Sequence, residues 1–233
     1  MPTFKGRTDE LTKIQLKSYL LSSSWGLSEV AIGAQIPLEV RTAYVADGSD
    51  IIILVKDLTG EVIETLKGKI FANYFRMLYR IKENNSGGLF YTSELKAHGL
   101  KGTSPSITLH PPLRFASLQW ISDENGQPVT QFTAGTTCVL QAELKEGAER
   151  AKGLLHLYAQ QKGSAEAELI KIFRTEVANS RLTVIWDGKL DFKEKKGSRY
   201  ESSLTFTATI RGIESAPSQP VTYISLPRFS FSE

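Results

Sequence analysis

One pattern occurs twice in this chain, and a chain that repeats an element at corresponding places is built from two similar domains. The clearer copy, YESSLTFTATIRGIESAPSQPVTYIS, runs from Tyr200 to Ser225. It reads as a strand, a Gly/Ser/Pro turn and a second strand. The fainter copy, YTSELKAHGLKGTSPSITLH, runs from Tyr91 to His110, with His98-Gly99 interrupting its first strand. Pro111 and Pro112 follow, and two prolines fix φ and favour an extended, stiff link. The expectation is an N-terminal domain over 1–111, its first 12 residues a flexible lead-in, a C-terminal domain over 112–225, and a tail over 226–233.

A length of 233 residues accommodates two domains of ordinary size. Each is large enough to bury roughly two-thirds of its unfolded surface. The single cysteine, Cys138, excludes an intramolecular disulfide, so packing alone must hold both cores. A net charge of +3 from 28 basic and 25 acidic residues is too balanced to imply a nucleic-acid or anionic-membrane partner. The N-terminus has neither the apolar core nor the cleavage site of a Sec signal, and no stretch is long enough for a membrane span. The expectation is cytoplasmic synthesis, with any export as part of a larger or surface assembly.

Each half opens on a tryptophan, Trp25 or Trp120, followed by a loop. An alternating strand comes next: QIPLEVRTAYV in the first half, TCVLQAELKEG in the second. IIILVKD and EVIETL, then GLLHLYAQQ, ELIKIFRTEV and RLTVIWDGKLDF, read as further strands. Asp187-Gly188 is the strongest hairpin signal in the chain. Within residues 70–81, spacings of three and four between Phe71, Tyr74, Phe75 and Leu78 also fit a helical stripe. Aromatic and β-branched content favours a strand pair bending near Asn73.

About seven short strands per half, with almost no helix-period segment, is the profile of an all-β chain of two tandem antiparallel β-sandwiches. Tyr200, Leu204, Phe206 and the turn GIESAPSQP resemble the end of an immunoglobulin-like or fibronectin type III-like module. Tyr91, Leu95 and GTSPSITL resemble it more loosely. In such modules a Tyr near the start of the penultimate strand bonds its hydroxyl to the backbone. SSSWGLSEVAIGAQIPLEV and LQWISDENGQPVTQFTAGTTCVLQAEL also resemble the tandem modules of bacterial contractile-injection and type VI secretion accessory proteins. That resemblance implies a non-enzymatic structural or adaptor protein in a bacterial assembly.

Catalytic signatures are missing from the sequence. His98, His110 and His156 have no His or Cys at metal-ligand spacing. Cys138 lies mid-strand and reads as a small hydrophobe. No G-x-S-x-G elbow and no phosphate loop occurs. The acidic loops ADGSD (46–50) and SDENG (122–126) read as turns rather than calcium sites, and KEKK as a solvated run. The expectation is no enzyme, no cofactor and no metal, with contacts to protein partners, as a homo-oligomer or in a larger assembly. Arg228, Phe229 and Phe231 are the candidate contact residues of the tail. Either the last strand continues and both rings pack on the domain, or the tail adds to a neighbour's sheet edge. The competing reading is a carbohydrate- or calcium-binding module with an aromatic platform including Trp186 or Tyr158.

Overall fold

The structure is a computed structural model, and it describes residues 16–146, 148–190 and 200–225, with the backbone alone at Tyr200. Eighteen strands and one short 3-10 turn make up its regular structure. The first nine are β1 (Tyr19–Trp25), β2 (Glu29–Ala31), β3 (Gln35–Ala43), β4 (Asp50–Asp57), β5 (Val62–Lys69), β6 (Tyr74–Arg80), β7 (Gly88–Leu95), β8 (Leu100–Thr103) and β9 (Ile107–His110). The second nine are β10 (Phe115–Ser122), β11 (Gln131–Thr133), β12 (Cys138–Leu144), β13 (Lys152–Gln161), β14 (Glu168–Glu176), β15 (Arg181–Trp186), β16 (Tyr200–Ile210), β17 (Ile213–Glu214) and β18 (Val221–Ser225).

The two sets assemble identically. Sheets β1-β3-β6 and β2-β9-β7-β4-β5 recur as β10-β12-β15 and β11-β18-β16-β13-β14, with β8 on β7 and β17 on β16. This is a tandem pair of immunoglobulin-like, fibronectin III-like β-sandwiches. Nine strands per set exceed the expected seven. Both loops after the tryptophans contain a three-residue strand, β2 or β11, which pairs in parallel with the last strand of its set. Three residues are too few to show a period, so alternation could not reveal them.

The chain also divides into two compact units, one of residues 1–26, 37–78 and 88–107, the other of 27–36, 79–87 and 108–233. In the second, Trp120, Leu140, Leu155, Leu157, Trp186, Leu204 and Phe206 are all buried in one core. The period-two burial is plain in β12, where Cys138, Leu140, Ala142 and Leu144 point inward. β3 does the same with Ile36, Leu38, Val40 and Thr42.

Residues 70–81 are strand, not helix. β5 gives way to a two-residue turn at Ala72 (φ 49°) and Asn73 (φ 60°), flanked by a Phe71–Tyr74 bridge, and β6 follows. Positive φ at both centres is a type I′ turn. Asn179 (φ 52°) and Ser180 (φ 58°) repeat it between Ala178 and Arg181. Even the anchoring bond is repeated: Thr42 N–H donates to Asn73 O, and Leu144 N–H to Ser180 O, each at 2.9 Å.

Asp187-Gly188 does not make the expected hairpin. No strand follows it among the described residues before β16: β15 belongs to the β10-β12-β15 sheet and β16 to the other. Gly188 φ is +64°, as the motif demands, and its carbonyl accepts from Gly135 N–H at 3.0 Å. The turn chemistry is thus present without the pairing.

The register corrects the alignment of the two Tyr-led stretches. The β4–β5 ladder slips after Val55, and β13–β14 slips after Leu157. Val55 faces Tyr91, and Leu157 faces Phe206. Tyr91 therefore corresponds to Phe206, while Tyr200 stands six positions earlier, pairing with Ser225. Trp25 and Trp120 do correspond, because both follow a bulge by the same interval and face Leu38 and Leu140. Each tryptophan meets its partner ring edge to face: Trp25–Tyr91 at 5.0 Å and 84°, Trp120–Phe206 at 5.2 Å and 83°. Such a pair contributes about 0.5–1.5 kcal/mol beyond its burial. Strand alternation sets which face a residue takes but not its register, so only the paired structure reveals the match.

Tyr91 fastens its two sheets together. Its hydroxyl donates to Glu39 O at 2.6 Å and lies 3.1 Å from Ser24 O, and these two residues are register partners on the opposite sheet. Burial is the main reason its phenol is held well above the usual tyrosine range. Ser104 secures the same strand, its hydroxyl accepting from Tyr91 N–H at 3.0 Å. Ser218 does so for Phe206 at 3.0 Å, and also accepts from Trp120 Nε1 at 3.1 Å. Pro111 and Pro112 are exposed between β9 and β10.

Candidate partner-binding face

The second unit carries an outward face on β13, β14 and β16 that the core does not use. Buried Leu155, Leu157 and Ala159 alternate along β13 with half-buried Leu154, His156 and Tyr158. Directly opposed residues of neighbouring strands share a face. Leu169, Tyr158 and Thr205 make one row across the three strands, and Ile172, His156 and Thr207 the next. Arg174, Leu154 and Thr209 make the third. Among the described residues β14 ends the order of its sheet, so its outer side offers main-chain groups for pairing. Leu169 and Ile172 on it are 45% and 50% exposed. β5, which ends the corresponding sheet of the first set, exposes Thr65, Lys67 and Lys69 instead, with Val62 as its one exposed large apolar residue.

The third row runs into a cleft of about 510 Å³ lined by Leu27, Leu154, Lys152, Arg174, Thr209 and Arg211, among others. Glu29 and Arg150 border its continuation. All of these belong to the second compact unit. Arg211 and Gly212, with φ of 48° and 79°, form the two-residue turn between Ile210 and Ile213. An arginine in the left-handed region is uncommon, since glycine or asparagine takes that conformation more cheaply. The position is held by Ala31 N–H donating to Arg211 O at 2.9 Å. The Arg211 side chain is only 17% exposed and lies 3.6 Å from a Glu29 carboxylate oxygen, which is also 3.3 Å from His110 Nε2.

Of the residues singled out for chemistry, His156 lies on this face and His110 beside Glu29, and the others fall elsewhere. Cys138 is buried in the second core, and burial, with the Asp123 charge adding to it, pushes its thiol up to about 12. His98 is bracketed by Ser18 and Ser49 hydroxyls at 3.1 and 3.0 Å. In the first acidic loop, Asp47 accepts from Ala72 N–H at 2.7 Å and Asp50 pairs with Lys69 at 3.1 Å. The second closes through Gly126 N–H donating to Ser122 O at 2.9 Å and Gln127 N–H to Asn125 Oδ1 at 3.0 Å. Both loops are thus closed by turn bonds, and Asp47 and Asp50 of the first have partners of their own. Trp186 is not a surface ring: it is 1% exposed, packed on Trp120, Phe132 and Tyr223. Arg228, Phe229, Phe231 and the KEKK run lie outside the described residues, as does the side chain of Tyr200. Nothing in the sequence pointed to Arg174. The one signal for Arg211 was the RG dipeptide inside an alternating run, a tight-turn mark.

No protein-family model and no curated protein matches the sequence. Solved structures do. The FN1–FN3 domains of chicken CNTN1 align at 8% identity over 88% of this chain and 64% of theirs, with a TM-score of 0.41. A tetra-tandem repeat from the extending region of a large adhesion protein aligns at 14% identity over 89% of this chain and 48% of its own, TM-score 0.33. The C-terminal fragment of intimin, in complex with the intimin-binding domain of the translocated intimin receptor, gives 10% identity, 89% and 64% coverage and a TM-score of 0.32. The chain spans about half to two-thirds of these proteins' lengths. Scores this low carry nothing beyond the tandem-sandwich architecture already evident in the strand order.

Proposed function

We propose that the protein is a non-enzymatic module that makes protein–protein contacts through the outer face and free edge of β14, as a structural or adaptor component of a larger assembly. The observation that carries this is a sheet edge unpaired among the described residues that carries two exposed aliphatic side chains, Leu169 and Ile172. Open edges with exposed apolar side chains are what β-strand addition uses, main-chain bonds giving affinity and side-chain pockets specificity. A bacterial contractile-injection or type VI secretion-like apparatus is the setting that the likeness of SSSWGLSEVAIGAQIPLEV to accessory modules supports. The tail over 226–233, with Arg228, Phe229 and Phe231, is a second contact element in this reading, and the link at Pro111-Pro112 a boundary between modules.

The experiment is affinity isolation of the full chain from its source cells, beside Leu169→Lys with Ile172→Lys and a chain ending at 225. A defined partner retained by the native chain and lost from the double variant, with unchanged melting temperatures, is the expected result. Equal recovery by all three sinks the proposal. A rise in melting temperature with calcium or a glycan would instead favour the ligand-binding alternative.

A further inference from the structure

The cleft at the end of the outer face is charged in a way the fold does not need. Arg150, Lys152, Arg174 and Arg211 line it and its continuation, against two carboxylates, Glu29 and Glu176. Glu29 is engaged with Arg211 and His110. Arg150, Lys152 and Arg174 are exposed and have no ion-pair partner among the described residues. The lining is apolar at Leu27 and Leu154, and Gly153 and Gly212 present no side chain there. Its volume of about 510 Å³ is of the size that takes a small ligand or a short stretch of peptide.

We propose that this cleft seats an acidic peptide segment of the partner, with an apolar side chain held against Leu27 and Leu154 and carboxylates on Lys152, Arg174 and Arg150. The inference rests on the module reading above and names the chemistry of its partner. Arg174 and Glu176 are residues of β14 itself, so a strand added along that edge passes directly to the cleft. Arginine and lysine on a rim steer a carboxylate and fix register, and the apolar lining supplies what a bare anion cannot use. Nucleic acid fits less well: no aromatic ring among the described residues lines the cleft to stack a base.

The test uses the full chain and a fluorescein-labelled seven-residue peptide of glutamates around a central leucine, followed by anisotropy. Binding is expected to weaken at least about tenfold in Lys152→Glu with Arg174→Glu, and to fall as salt rises and shortens the screening length. Peptides with glutamine for glutamate, or serine for the leucine, should bind less. Both substituted residues are exposed, and an unchanged melting temperature confirms that the variant folds. Undiminished binding by the double variant overturns the proposal. So does equal displacement by inorganic phosphate, or tighter binding of a single-stranded oligonucleotide. The Leu169→Lys with Ile172→Lys variant separates the two claims: lost partner capture with no peptide binding by the native chain leaves the module and removes the cleft.

Discussion

Tyr91 shows how one hydroxyl can tie two sheets together in a sandwich that has no cysteine. It reaches from β7 to the backbone of the facing sheet, beneath the edge of Trp25. Tyr91→Phe keeps the ring contact and removes the bond, so it should cost on the order of 1 kcal/mol in a denaturant titration. The raised phenol fixes a pH dependence as well. The folded state favours the neutral form, so its stabilising contribution is complete below the ordinary tyrosine value and is lost as pH climbs above it. Unfolding midpoints should therefore drop in strong alkali, less steeply in Tyr91→Phe. Cys138, with its thiol pushed up to about 12, should resist a thiol-specific reagent at pH 8 in the native protein and react when denatured. The sequence conveyed that thiol's burial, since a mid-strand Cys with no base nearby reads as a hydrophobe. It did not convey the Tyr91–Phe206 match, which depends on bulges that leave no mark in the residues around them.

Strands with a full period-two pattern, such as β3, β12 and β13, were legible because one face of each is buried and the other is not. The short strands β2 and β11, and the placing of β15 and β16 in different sheets, were not. Local turn chemistry at Asp187-Gly188 is the same whether the next strand pairs with the last or joins the other sheet. Turns are nonetheless where elements are most sharply constrained. A Cβ on Gly212 would lie 3.1 Å from the Ala34 Cβ and 3.2 Å from Ile36 Cγ2, at a φ of +79°. Gly212→Ala should destabilise by about 1–2 kcal/mol, from the left-handed strain with crowding added, as read by thermal unfolding. The open edge of β14 belongs to this scale too. A lysine at Leu169 or Ile172 replaces an exposed aliphatic side chain, so fold stability should change by no more than about 0.5 kcal/mol while partner capture is lost.

Across the whole molecule, the same nine-strand topology occurs twice, down to matched bulges, matched type I′ turns and matched tryptophan pairs. The sequence carried the existence of that duplication, through its recurring strand order and opening tryptophans, and hence the fold class. It carried much less of the candidate site, because a surface is assembled from rows across β13, β14 and β16 that are distant in the chain. What distinguishes the two copies is the edge: cationic on β5, aliphatic on β14, with a cleft at its end whose Arg150, Lys152 and Arg174 have no ion-pair partner among the described residues. The claim that this edge is a protein contact is tested most directly by placing a photo-crosslinking side chain at position 172 of the full protein in its source cells, with position 67 on β5 as the comparison. The account predicts a discrete, partner-sized adduct from position 172 and none from position 67. Equal labelling from both positions, or no adduct from 172, would contradict it.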